Sequence, residues 1–143
     1  ALTGHLVFST LHTNDACSAI NRLLELGIAP HLIKAGLIGV MAQRLVRTLC
    51  NACKVPAPVI NAGYQAKGCN ECRQTGYHGR TAILELLCMS APLSASVGHD
   101  IDVAILRRHA LDEGLCSLQQ SGEQKVAQGL TTMAEVLRVA PGN

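Results

Sequence analysis

GHLVFSTLHTNDACSAINRLLELG, residues 4–27, decides the fold class of this chain. Its first nine residues run through Leu6, Val7, Phe8, Thr10 and Leu11 with hardly a polar break, the composition of a strand buried on both faces of a parallel sheet. Thr13, Asn14 and Asp15 then offer helix-capping side chains, and Ala16, Ile20, Leu23 and Leu24 recur at helical spacing until Gly27 stops the run. Strand, polar turn and helix together make an α/β unit. Pro30 suits the first turn of a second helix, which the spacing of Ile33, Leu37, Met41 and Leu45 extends to about Leu49.

Next come two C-x2-C pairs, Cys50 with Cys53 and Cys69 with Cys72, separated by fifteen residues. That spacing matches a four-thiolate zinc site, in which each pair turns both sulfurs toward one ion. Four thiolates leave no open coordination position, so such a zinc is structural. In small modules it contributes roughly 10–16 kcal/mol, comparable to the stability of a whole domain. Two disulfides, or four unrelated thiols, are the other readings of these cysteines. Pro56, Pro58 and Gly63 mark irregular backbone between the pairs, and no helix is expected there.

Past Cys72, the glycines at 76 and 79 point to turns, and RTAILELL (80–87) reads as a strand ended by Ser90 and Pro92. Val103, Leu106, Ala110 and Leu111 predict a helix over about 100–113, ended by Gly114. A further helix is expected over about 117–128, before Gly129. Thr132 and Glu135 form the pattern of a capping box opening a short helix through Val136, Leu137 and Val139.

Composition limits the function classes. The hydrophobic fraction is 48%, yet Phe8, Tyr64 and Tyr77 are the only aromatic residues, so the core must be aliphatic. Twelve basic against ten acidic residues, net +2, give no electrostatic case for a nucleic-acid or membrane partner, and few aromatics means little base stacking. The remaining cysteines, Cys17, Cys88 and Cys116, sit in apolar surroundings, a usage that fits a reducing cytoplasm. The longest apolar stretch, about 32–49, carries Lys34, Arg44 and Arg47, and no transmembrane segment is predicted. An opening of Ala-Leu-Thr-Gly, without Met or a targeting pattern, leads to the expectation that something upstream has been cut off or was never present.

The end of a buried parallel strand is where α/β folds place ligand groups, and Ser9, Thr10, His12, Thr13 and Asn14 fall there. On the residues alone His12 reads equally well as a hydrogen-bonded edge residue, and Thr13 to Asp15 as a helix cap. Arg44, Arg47, Arg73 and Arg80 are capable of bidentate phosphate or subunit contacts, or of ordinary surface pairing. His31, His78, His99 and His109 have no partner cluster, and no chemistry is assigned to them.

Several runs in order, LTGHLVFSTLHTNDA (2–16), RLLELGI (22–28), LIGVMAQRLVRTLC (37–50), the paired cysteines, TGYHGRTAILELL (75–87) and GEQKVAQGLTTMAEVLRV (122–139), resemble the carboxy-terminal part of the type II secretion and type IV pilus assembly ATPases. The resemblance implies a partial RecA-like P-loop ATPase core at 1–49, a tetracysteine zinc insertion at 50–72, and a return strand with a helical carboxy-terminal region at 73–143. It also implies a homo-hexamer in the full-length form, in the cytoplasm and peripheral to the inner membrane, contacting secretion or pilus platform proteins.

The family's histidine-containing segment beside the nucleotide matches His5 and His12 as catalytic candidates, with Ser9, Thr10, Thr13 and Asn14 as nucleotide-binding candidates. Against the family pattern, the chain contains no G-x-x-x-x-G-K-[ST] loop and no acidic Walker B strand. By resemblance both lie upstream of Ala1, ATP and magnesium bind only in the full-length context, and this chain alone is expected to be inactive. The spacer between cysteine pairs is short for the family, and Phe8 stands where a smaller aliphatic is usual. Two other readings stay open: a zinc-stapled binding module whose loop at 54–68 docks a partner without enzymatic activity, and a split-gene product with no function of its own.

Overall fold

A computed structural model describes residues 4–58 and 63–141. Among these residues the elements, in chain order, are α1 (Ala16–Glu25), α2 (Pro30–Gly36), β1 (Gly39–Leu49), β2 (Val55–Pro56), β3 (Tyr64–Gln65), β4 (Tyr77–Cys88), α3 (Ala91–Ser96), α4 (Val103–Asp112), α5 (Leu118–Ala127) and α6 (Met133–Val139). β1 pairs with β4 and β2 with β3. The chain forms two compact units, Ala1–Ala42 with Glu85–Cys116, and Gln43–Leu84 with Ser117–Asn143.

In the first unit, Asp15 caps α1 by accepting the Ser18 N–H at 2.8 Å, and the helix buries Ala16, Cys17, Ala19 and Ile20. Ala16, Cys17 and Ile20 pack with Ile33 of α2, Leu87 of β4, Leu93 of α3, and Leu106 and Ala110 of α4 in one aliphatic core. Ser90 and Pro92 begin α3 as well as ending β4, because Ser90 Oγ accepts the Leu93 N–H and proline fits a first helical turn. Asp102 caps α4 through the N–H groups of Ala104 and Ile105.

Two expectations are corrected. The second helix ends at Gly36, and residues 39–49 form β1. Val40, Ala42, Arg44 and Val46 are drawn inward while Met41, Gln43, Leu45 and Arg47 face out, so the period is two. Met41 and Leu45, taken for a helical core face, are 59% and 44% exposed. Hydrogen bonds from Met89 N–H to the Ile38 carbonyl and from Cys50 N–H to the Gly76 carbonyl, both 2.9 Å, bracket the two ends of an antiparallel β1–β4 pair. The second correction concerns GHLVFSTLH: residues 5–13 adopt no regular structure, and Phe8 is 88% exposed. A strand apolar on both faces gains its hydrogen bonds from neighbours, and the two long strands here pair with each other.

In the second unit α5 opens with a complete capping box. Ser117 Oγ accepts the Gln120 N–H at 3.2 Å, and Gln120 Oε1 accepts the Ser117 N–H at 2.9 Å. The box expected at α6 is half formed: Thr132 Oγ1 accepts the Glu135 N–H, but the Glu135 carboxylate is turned to two arginines. Helices α5 and α6 approach so closely that a β-carbon at Gly122 would lie 2.7 Å from Val136 Cγ2. Gly122→Ala is therefore expected to destabilise the protein by about 1–3 kcal/mol, despite alanine's better helix propensity. Thermal unfolding checks this, and Gly122→Ala combined with Val136→Ala should recover part of the loss.

Candidate metal centre

Cys50 closes β1 and Cys53 follows one turn later, with the Lys54 N–H bonded to the Cys50 carbonyl at 2.9 Å. The chain also turns around the second pair, one residue wider, the Gln74 N–H reaching the Cys69 carbonyl at 2.8 Å. Gly76 sits at φ 76°, and a β-carbon there would fall 2.5 Å from Ala66 Cβ, so the chain passes only as glycine. Between the pairs, β2 and β3 form a minimal antiparallel ladder, Val55 opposite Gln65 and Pro56 opposite Tyr64. No helix occurs there among the described residues.

The four sulfurs lie within 4.8 Å of one another, with Cys50 to Cys69, Cys53 to Cys72 and Cys69 to Cys72 each at 3.8 Å. None of these cysteines is in a disulfide. Metal–sulfur bonds of about 2.3 Å in a tetrahedron place the sulfurs about 3.8 Å apart, so the donor set fits one thiolate-bound ion. Backbone N–H groups already point at sulfur: Gly68 to Cys53 at 3.3 Å, and Cys69 and Gly76 to Cys72 at 3.2 Å. Burial pushes the Cys53 thiol up to about 12 and raises Cys50 as well. At Cys72 burial is outweighed by the two N–H groups and the neighbouring thiols, which bring it down to about 6. Cys72 ionises readily, whereas Cys50 and Cys53 need a cation to balance the charge.

The segments carrying the cysteines are tied to the α5–α6 turn. The Leu49 N–H donates to the Leu130 carbonyl at 2.8 Å, Thr131 Oγ1 to the Arg47 carbonyl at 2.8 Å, and Lys54 Nζ to the Gly129 carbonyl at 3.0 Å. The Arg47 guanidinium lies 4.3 Å above the Tyr77 ring and bonds Glu135 Oε1, while the Tyr77 hydroxyl meets Thr132 Oγ1 at 2.9 Å. Glu135 is buried and also holds Arg138. The Arg47 hydrogen bond, acting against burial and helped by Arg138, lowers its carboxyl to about 2.

The four cysteines expected to converge do so. His5, Ser9, Thr10, His12 and Asn14 lie on exposed backbone without regular structure. Thr13 is half-buried, its hydroxyl donating to the Asp15 carbonyl at 3.3 Å. Arg47, a candidate for phosphate contact, is committed to Glu135. A second ionic cluster carries no motif: buried Glu85 of β4 accepts the Ala16 N–H at 2.9 Å, and Arg107 of α4 lies 3.8 Å from both Glu85 and Asp15. The signal for it is the phase of β4, where Glu85 falls between the buried Ile83 and Leu87.

The chain belongs to the family described as Type II/IV secretion system protein, which matches residues 1–138. Similar proteins include the type II secretion system protein HxcR of Pseudomonas aeruginosa, 45% identical over 97% of this chain and 29% of the relative. Type II secretion system protein E of the same organism is 43% identical over 97% of this chain and 30% of its own length. The type IV pilus assembly ATPase TfpB of Acinetobacter baylyi is 42% identical over 99% and 27%. The chain thus spans about three-tenths of the length of these relatives.

Two outcomes follow from the geometry. Glu135 titrates near 4.5 when unfolded and about 2 when folded, so its contribution is complete above the first value and is lost as pH falls toward the second. Glu135→Gln should cost roughly 1–3 kcal/mol at neutral pH, moderated by the half-exposed Arg47. The gap between wild-type and variant unfolding midpoints should close as pH is lowered from about 5 toward 2. Stripping metal with a chelator under reducing conditions should speed amide exchange at Lys54 and Gln74, and then at Leu49, whose partner is the α5–α6 turn.

Proposed function

We propose that this chain is the carboxy-terminal portion of an ATPase that powers type II protein secretion or type IV pilus assembly. The observation that carries this reading is the similarity, over 97–99% of the chain, to type II secretion proteins and a type IV pilus assembly ATPase. In it, residues 1–49 complete a RecA-like core, 50–72 form the metal insertion, and 73–143 supply the return strand and helical region. The whole protein works as a homo-hexamer in the cytoplasm, peripheral to the inner membrane and in contact with platform proteins. Among the described residues, no helix is long and apolar enough to cross a membrane.

The ion at Cys50, Cys53, Cys69 and Cys72 is zinc, and its role is structural, since a tetrahedral all-thiolate set with closed coordination suits zinc and leaves no place for substrate. His5 and His12 face the γ-phosphate in the assembled protein, with Ser9, Thr10, Thr13 and Asn14 alongside. The segment's exposed apolar residues Leu6, Val7 and Phe8 support its being covered there by further strands. A phosphate cradle and a magnesium carboxylate are missing from these 143 residues, so catalysis needs sequence beyond them.

Two measurements test this. The purified 143 residues should show no ATP turnover, whereas a protein joining them to a P-loop and an acidic strand should hydrolyse ATP and slow on His12→Ala with little loss of folding. Steady hydrolysis by the 143 residues, or unchanged turnover in the variant, overturns the corresponding part. Elemental analysis should give one zinc per chain, and finding none, with all four thiols freely alkylated in the folded protein, removes the metal.

A further inference from the structure

Glu85, Arg107 and Asp15 meet at the amino terminus of α1, the helix that follows directly on the candidate histidine segment. Glu85 is 1% exposed, reaches this point from β4, and accepts the first N–H of the helix, that of Ala16, at 2.9 Å. Asp15 is the capping residue, accepting the Ser18 N–H at 2.8 Å and the Ser18 hydroxyl at 2.9 Å. Two carboxylates beside one helix end are favoured by the helix dipole but repel each other, and a buried carboxylate without a cation is expensive. Arg107, from α4, supplies that cation with one guanidinium nitrogen 3.8 Å from each carboxylate. Three elements are thereby fixed on a single point.

We infer that Arg107 is a positioning residue: by neutralising Glu85 and Asp15 together it fixes the first turn of α1 and the exit of the His12–Asn14 segment from it. The assignment of a nucleotide to that segment rests on the proposed function above. Thr13 links the two structurally, because its hydroxyl donates to the Asp15 carbonyl. A displacement of α1's first turn is transmitted through Asp15 to the backbone carrying Asn14, Thr13 and His12. Misplacement of a reacting group by about 1 Å is enough to cost on the order of 100-fold in rate, so loss of Arg107 acts on the catalytic step without touching substrate.

The test uses the ATPase-competent protein that contains this chain. Arg107→Met leaves two carboxylates facing each other. It should lower kcat on the order of 10- to 100-fold, with KM for ATP and zinc content unchanged at temperatures well below unfolding. Glu85→Gln combined with Arg107→Met keeps an acceptor for the Ala16 N–H while removing the uncompensated charge, and should restore most of the rate. Arg107→Lys should fall between. A merely structural role predicts instead that activity tracks the folded fraction and that the double variant loses more than either single change; that result, or an unaltered kcat in Arg107→Met when His12→Ala slows turnover, overturns the inference. If His12→Ala has no effect, the active-site reading falls separately. Amide exchange at Ala16 then decides the charge cluster, with faster exchange in Arg107→Met supporting it and unchanged exchange overturning it.

Discussion

Four sulfur atoms crowded within 4.8 Å of one another do not stay together on the strength of thiol contacts, and the order of the surrounding loop depends on what balances their charge. Among the described residues of the loop between the pairs, the regular structure is a two-residue ladder and no side chain is buried. A thiolate-bound ion would supply the missing enthalpy and, by fixing Cys50 and Cys72, would also fix the end of β1 and the Gly76 carbonyl to which the Cys50 N–H is bonded. From that point the effect passes to Leu49, Arg47 and Lys54, whose partners are all in or beside the α5–α6 turn.

Both units handle a buried carboxylate, and by different means. Glu135 is satisfied by two arginines, one on a neighbouring strand and one a helical turn away, and its carboxyl is held far down. Glu85 accepts a helix amide and lies at the longer distance of 3.8 Å from Arg107. Burial and the nearby carboxylates push the Cys17 thiol, next to that helix end, up to about 11, which leaves it an inert core residue rather than a nucleophile.

What the residues announce in advance follows from how local each determinant is. The α1 helix is legible because its cap and its core face lie within a dozen residues, and the cysteine pairs because ligand spacing is a local property. β1 is not, since Leu37, Met41 and Leu45 satisfy a helical period while Val40, Ala42 and Val46 satisfy a strand, and only pairing with β4, some forty residues on, decides between them. Helix α3 hides behind Ser90 and Pro92, which mark a strand end and a helix start alike. The Glu135 carboxylate reads as half of a capping box until Arg47, 88 residues earlier, takes it. The strand expected at 4–12 depends on neighbours that these residues do not supply.

The distribution of aromatic residues carries a spectroscopic consequence. The chain has no tryptophan, and its two tyrosines, Tyr64 and Tyr77, both lie in the unit that holds the cysteines, each beneath a cation, Lys54 and Arg47 respectively. Tyrosine emission from this polypeptide is therefore a local signal: it registers events around the sulfur cluster and is blind to the helices packed about Ile20 and Leu106.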